Sequence, residues 1–184
     1  MFPTDEINEE GVYAVEMTKN GEEVHIVLDD FVPCKDHRPA FSSANGNELW
    51  VLLLEKAWAK LHGSYDRIIS GQAHETLRDL TGAPAYEYIV ADMEAKNMFN
   101  KIDQADKKNW AIAAGCDAKS EDEKAKLKEL GLVGEHSYGV IATALVEKDG
   151  NEVMLLKLRN PWGSFEWKGD WGDESDLWTP ELKE

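Results

Sequence analysis

The sequence predicts an α+β fold, a twisted antiparallel sheet with helices packed against it. Three observations carry that expectation. Asn20-Gly21 and Asp149-Gly150 are hairpin turn signals, each lying between two runs rich in strand-forming residues. Between the two hairpins, Glu48 to His62 places Trp50, Leu53, Leu54, Ala57, Trp58 and Leu61 at three- and four-residue spacing, the period of a helix with one buried face. Two-residue turns can join only antiparallel strands, because a parallel pair needs a long crossover.

Taken in order, Met1 to Glu10 is polar and acidic and reads as a linker, leaving 11–184 as one domain. Tyr13, Val15 and Met17 alternate with Val12, Ala14 and Glu16 in the first strand, and Val24, Ile26 and Leu28 alternate in the second. Asp29 to Asn47, with Pro33, Pro39 and Gly46, is a loop. Asn47 is the expected N-cap of the helix over 48–62, and Gly63 its stop. His74 to Leu80 predicts a short helix ended by Gly82. Asp92 is the expected cap of a helix from Met93 to about Asp103, with Met98, Phe99 and Ile102 inward. Trp110 to Ala114 reads as a short buried strand. Ser120-x-x-Glu123 is a capping box that opens a helix ending at Gly131, with Leu127 and Leu130 inward.

The second hairpin pairs Tyr138 to Val146 with Glu152 to Arg159. A two-residue turn at Asp149-Gly150 pairs residues whose numbers sum to about 299, which sets Asn160 opposite Gly139. His136 would then lie about 10 Å along the strand, at ~3.3 Å per residue, unless a bulge at Gly139 or another register closes the gap. A histidine beside an asparagine carboxamide suits thiol-protease chemistry. The imidazole takes the proton of a cysteine and later gives one to the leaving amine, while the carboxamide oxygen fixes the tautomer and ring plane. Spacing alone favours the plainer reading, a strand-end histidine with a turn asparagine nearby.

Composition narrows the partners. Lys+Arg 20 against Asp+Glu 36 gives net charge −16, which disfavours nucleic acid and anionic membrane surfaces. The chain has no 18-residue apolar run and no basic-then-apolar leader, so neither a membrane span nor a signal peptide is expected, and cysteines too few for a disulfide framework make a reducing, cytoplasmic setting the expectation. Two cysteines, Cys34 and Cys116, make no disulfide framework, and neither has histidine spacing that suggests zinc. Cys34 lies in a polar loop without a following helix, and Cys116 follows a short strand and precedes an acid. Both read as structural thiols rather than nucleophiles.

The residues also carry a resemblance. GLVGEHSYGV followed by LLKLRNPWGSFEWKGDWGDES resembles the second catalytic subdomain of the calpain family of papain-like, calcium-dependent cysteine proteases. FPTDEINEEGVYAVEM looks like the inter-subdomain junction and first strand, and VHIVLDDFVPCKD like the next strand and loop. NELWVLLLEKAWAKLHGSYD is similar to the family's LLEKAYAK-bearing helix, and ISGQAHETLRDLTG to the segment after it. The NPWG-x-x-EW-x-G-x-W-x-D block is the most specific part.

The resemblance implies the barrel-like half of a papain-like fold, with 1–10 as the inter-subdomain junction. It implies His136 as general base, Asn160 as its orienter and Trp162 as the aromatic that shields the pair. Glu166 and Asp173 match positions that bind calcium in the family, although the remaining ligands there come from a later segment that this chain does not reach. The nucleophile should lie roughly 130–150 residues before the histidine, and no cysteine of this chain does. The resemblance therefore implies a cysteine-bearing subdomain upstream, protein substrates in the cleft between the halves, and no activity from these residues alone. The family usually has Gly-His-Ala-Tyr where this chain has Glu135-His136-Ser137-Tyr138. That departure leaves room for a non-catalytic calcium-binding or adaptor module on the same fold.

Overall fold

The computed structural model describes residues 7–44 and 46–183. Most of the expected linker, residues 1–6, lies outside them. The architecture is α+β with antiparallel pairing throughout, in two compact units that divide between Tyr86 and Glu87.

The first unit is a hairpin covered by a helix. Strands β1 (Val12–Lys19) and β2 (Glu22–Asp29) pair in unbroken register from Lys19↔Glu22 to Val12↔Asp29. Asn20 and Gly21 both adopt positive φ, 54° and 81°, as a two-residue turn matched to the strand twist requires. The alternation read from the sequence is the one observed. Val15 (0% exposed), Met17 (2%), Ile26 and Leu28 form the core with Leu53 and Ala57 of helix α1 (Trp50–His62), and Tyr13, Val24, Leu54, Trp58, Leu61 and Leu80 close around it.

Helix α1 begins two residues later than expected. Leu49, not Asn47, occupies the N-cap, and no side chain caps it. Trp50 is 51% exposed, against the expected inward position, and its indole N–H reaches the Glu48 carboxylate (3.4 Å). Leu52 and Ala59 are buried as well, so the covered stripe is wider than the sequence pattern suggested. Gly63 ends the helix in the left-handed conformation, φ 101°, as expected. Lysines bind α1 to β2: Lys56 Nζ donates to Asp29 Oδ1 (2.6 Å) and the Phe31 carbonyl (2.6 Å), and Lys60 Nζ to the Val27 carbonyl (2.6 Å).

After two-residue strands β3 (Cys34–Lys35) and β4 (Arg38–Pro39), helix α2 (Ala73–Thr81) is closed by Gly82. It carries Asp79, buried and bonded by Lys19 Nζ (2.6 Å) and Arg78 Nε (3.1 Å). Burial pushes the Asp79 carboxyl up, but Lys19 and Arg78 together outweigh it and hold the group below its ordinary value.

The second unit is a three-stranded sheet in the order β5-β6-β7. Helix α3 (Ala95–Asp106) precedes it and starts with Glu94 at the N-cap; Asp92, the expected cap, lies in a preceding 3-10 turn. Met98 and Phe99 are buried as expected, and Ile102 is half-buried. Two carboxylates hold α3 to the sheet: Asp106 Oδ2 accepts from Thr143 N (2.9 Å) and Thr143 Oγ1 lies 3.1 Å from Asp103 Oδ1. Strand β5 (Ile112–Cys116) is shifted from the expected 110–114. Trp110 is exposed, with the Lys108 ammonium over its ring.

Helix α4 (Glu121–Glu129) opens on Ser120, whose Oγ accepts from Glu123 N (3.2 Å). The return half of the box goes elsewhere, since the Glu123 carboxylate accepts from Lys119 N (2.6 Å). Leu130, expected inward, lies just past the helix end and is 45% exposed. Strands β6 (His136–Lys148) and β7 (Asn151–Arg159) form the second hairpin, and a terminal turn of helix, α5 (Pro180–Lys183), ends the described chain.

The register of β6 on β7 places the site. From Lys148↔Asn151 to Ala142↔Lys157 the paired numbers sum to 299, as the turn predicts. Beyond a bulge at Ile141 the pairs become Val140↔Leu158 and Gly139↔Arg159. The slip of one residue carries the end of β7 toward the start of β6. The bulge is therefore at Ile141 rather than at Gly139, and it sets Asn160 opposite Tyr138, one residue nearer His136 than an unbulged hairpin would.

Candidate active site

His136 is the first residue of β6, and Asn160 immediately follows β7. The hairpin brings their side chains into contact: His136 Nε2 lies 2.9 Å from Asn160 Oδ1. A carboxamide oxygen can only accept, so Nε2 carries the proton and Nδ1 of the neutral ring keeps its lone pair. That leaves Nδ1 as the basic nitrogen.

Both polar atoms of the Asn160 side chain have further partners. Its Oδ1 also accepts from Trp162 N (3.1 Å), and its Nδ2 donates to the Ser164 carbonyl (2.6 Å). The turn is closed by Gly163 N donating to the Asn160 carbonyl (3.1 Å), with Gly163 at φ 64°. The same turn folds Trp162 back onto the histidine, ring centroids 4.5 Å apart and planes at 50°. Trp162 remains 60% exposed and covers one side of the imidazole only.

Two residues were not placed beside His136 from the sequence. Tyr138, two residues on and so on the same face of β6, meets the His136 ring edge-on at 4.8 Å, and its hydroxyl accepts from Val133 N (2.8 Å). The period of two along the strand was the available signal. Cys116 is the cross-strand partner of His136 in the β5–β6 ladder. Its thiol is not prepared as a nucleophile: burial pushes its pKa up and Asp117 pushes it further. Cys34 is exposed in the first unit.

Glu166 and Asp173 line one open hollow of about 720 Å³, together with Glu174, Lys168, Ser164, Phe165 and Trp167. Hard carboxylate oxygens are the right donor type for calcium. The one place among the described residues where three metal-ligating side chains converge is different: Glu16, Glu23 and His25, on the exposed face of the first hairpin. There His25 Nδ1 faces Glu16 (3.6 Å) and Nε2 faces Glu23 (3.5 Å). The hollow thus supplies the chemistry for a calcium ion without gathering three side-chain ligands on one point.

Comparison with known proteins decides the family. The family model described as "Calpain family cysteine protease" matches residues 1–184. The chain belongs to the calpain family. It is 36% identical over 189 residues to the calpain-type cysteine protease ADL1 of Oryza sativa subsp. japonica, covering 98% of this chain and 8% of that protein. It is 35% identical over 181 residues to the calpain-2 catalytic subunit of Homo sapiens (96% and 26%), and 34% identical over 169 residues to human calpain-9 (91% and 24%). The chain therefore spans about a quarter or less of the length of these calpains. Among the described residues no helix is long and apolar enough to cross a membrane.

Proposed function

We propose that this chain is the His/Asn half of a calpain-type cysteine endopeptidase, acting with a cysteine-bearing subdomain upstream in a parent protein. Residues 11–184 would form that second subdomain and 1–10 its junction, in a cytoplasmic enzyme cutting protein substrates. The observation that supports this is the 2.9 Å contact between His136 Nε2 and Asn160 Oδ1 under the Trp162 ring.

The chemistry follows from the tautomer. Nδ1 of His136 takes the thiol proton of the partner subdomain's cysteine, and the thiolate attacks the peptide carbonyl carbon. The imidazolium then gives that proton to the leaving amine nitrogen as the C–N bond breaks, leaving a thioester. Water attacks the thioester, His136 takes its proton, and the acid and free thiol are released. Asn160 holds the ring plane through both transfers, and Trp162 keeps water from one side of it. Calcium, where bound, would be held by Glu166 and Asp173 and would supply positive charge that draws together the acidic loop after Asn160, which carries Glu166, Asp170, Asp173, Glu174 and Asp176.

In the parent protein, His136→Ala should lower kcat/KM by at least ~10²–10⁴, the usual contribution of a positioned acid–base group. Asn160→Ala should act mainly on kcat. The 184 residues alone should show no peptidase activity. Turnover by this chain that is abolished on alkylating Cys34 or Cys116 would overturn the reading. The hollow lined by Glu166, Asp173 and Glu174 supports a second reading, a non-catalytic calpain-like calcium-binding or adaptor module. A wild-type parent protein that binds calcium yet cleaves no peptide would favour it.

A further inference from the structure

We propose that Lys124 and Glu135 form a latch that sets the backbone, and through it the imidazole, of His136; the inference rests on the catalytic reading of His136 given above. Glu135 has φ 56°, a left-handed conformation that glycine adopts freely and a residue with a side chain adopts against a steric cost. It stands immediately before His136, so its φ and ψ decide the direction in which β6 begins. Something must hold it there.

The holding group is Lys124, on α4. Its ammonium lies 2.7 Å from Glu135 Oε2 and 3.2 Å from Glu121 Oε1. The glutamate partners raise the Lys124 pKa, with Glu135 the larger influence, so the lysine stays charged. The same side chain covers Gly134: a Cβ there would stand 3.3 Å from Lys124 Cγ and 2.7 Å from the Ala118 Cβ. One lysine therefore packs its stem on residue 134 and pairs its charge with residue 135. On the far side of the turn, Val133 N is bonded to the Tyr138 hydroxyl. Residues 133, 134 and 135 are each tied down, and the next residue is His136.

The latch also settles what the carboxylate beside the histidine does. Glu135 spends its charge on Lys124 and α4. Releasing it would leave a mobile carboxylate next to the imidazole and remove the force that offsets the left-handed backbone. Lys124 and Glu135 are thus positioning residues, and His136 is the group they position.

The test uses the 184-residue chain labelled with ¹⁵N, reading the His136 ring nitrogens, the Asn160 side-chain amide and the Trp162 indole. Lys124→Met and the milder Glu135→Gln should each shift all three sets of signals while the amides of residues 12–29 stay in place. The charge swap Lys124→Glu with Glu135→Lys, made together with Glu121→Gln so that the new carboxylate meets no like charge, should bring them back. High salt on the wild type should move them in the same direction as the single variants, because an exposed ion pair is screened. In the parent protein the single variants should lower kcat about tenfold with KM changed less than twofold, and the swap should recover it. Unmoved His136 and Asn160 signals in a folded single variant would overturn the latch, and so would a folded swap that fails to restore them. A wild-type parent without peptidase activity, with the signals responding as described, would instead sink the catalytic reading and leave the latch standing.

Discussion

The backbone of Gly131 lies directly under the carbonyl of Glu166. A Cβ at 131 would occupy the space of that oxygen, and Gly131 also has φ 82°, so two independent constraints exclude a side chain there. Beside this contact, Lys168 N donates to the Leu130 carbonyl (3.0 Å). The acidic loop after Asn160 is therefore joined to the turn that leads, five residues later, into His136.

Gly131→Ala should accordingly be among the most damaging single-methyl additions in the chain. It adds a backbone clash to a left-handed strain, and a loss of about 3 kcal/mol or more is expected. Urea unfolding would measure it. A variant within experimental error of the wild type would show that the loop and turn part freely.

The core of the first unit offers a graded test. Leu53 is buried among Val15, Met17, Ile26, Leu28 and Ala57, so Leu53→Ala should cost roughly 2–5 kcal/mol. Leu54 only packs against the edge of that cluster and should cost less, and the exposed Trp50→Ala about 1 kcal/mol or under. Chemical denaturation that ranks Trp50 above Leu53 would contradict the observed helix face.

His62 should make stability depend on pH. Its Nε2 is buried without a hydrogen-bond partner among the described residues, and its ring lies 4.4 Å from that of Trp58. Burial, and then the nearby Lys19 charge, lower its pKa below the ordinary value despite the opposing Asp79 and Glu75. The sign follows from which state accepts the proton. As pH falls below about 6.5, the unfolded chain protonates this histidine and the folded chain resists, so stability is lost through that window. The slope is at most about 1.4 kcal/mol per pH unit, and less for a ring that is only partly covered. His62→Phe should flatten the curve between pH 7 and 5. An identical slope in wild type and variant would assign the dependence to other groups.

Calcium binding is best tested on the chain itself. Calorimetry should show weak uptake, with a dissociation constant on the order of 10⁻⁴–10⁻³ M, reduced in Asp173→Asn and in Glu166→Gln. Equal heats in all three proteins would remove the hollow as a cation site.

The amino-acid sequence by itself determined both hairpins, the buried faces of the first one, the glycine stops at Gly63 and Gly82, and the family. These depend on local turn chemistry and on periods of two and 3.6, which are written along the chain. Helix starts were less legible. Leu49 and Glu94 begin α1 and α3 without a side-chain cap, so the polar residues upstream, Asn47 and Asp92, pointed to the wrong positions. Only the tertiary structure decided whether His136 meets Asn160. The Asp149-Gly150 turn accounts for the register from Lys148↔Asn151 to Ala142↔Lys157, and the one-residue slip at Ile141, which no turn residue announces, brings Asn160 one position nearer His136. The Lys124–Glu135 pair and the Gly131–Glu166 contact were hidden for the same reason. Each joins segments whose nearness follows from where α4 and the acidic loop come to rest, and no local pattern encodes that distance.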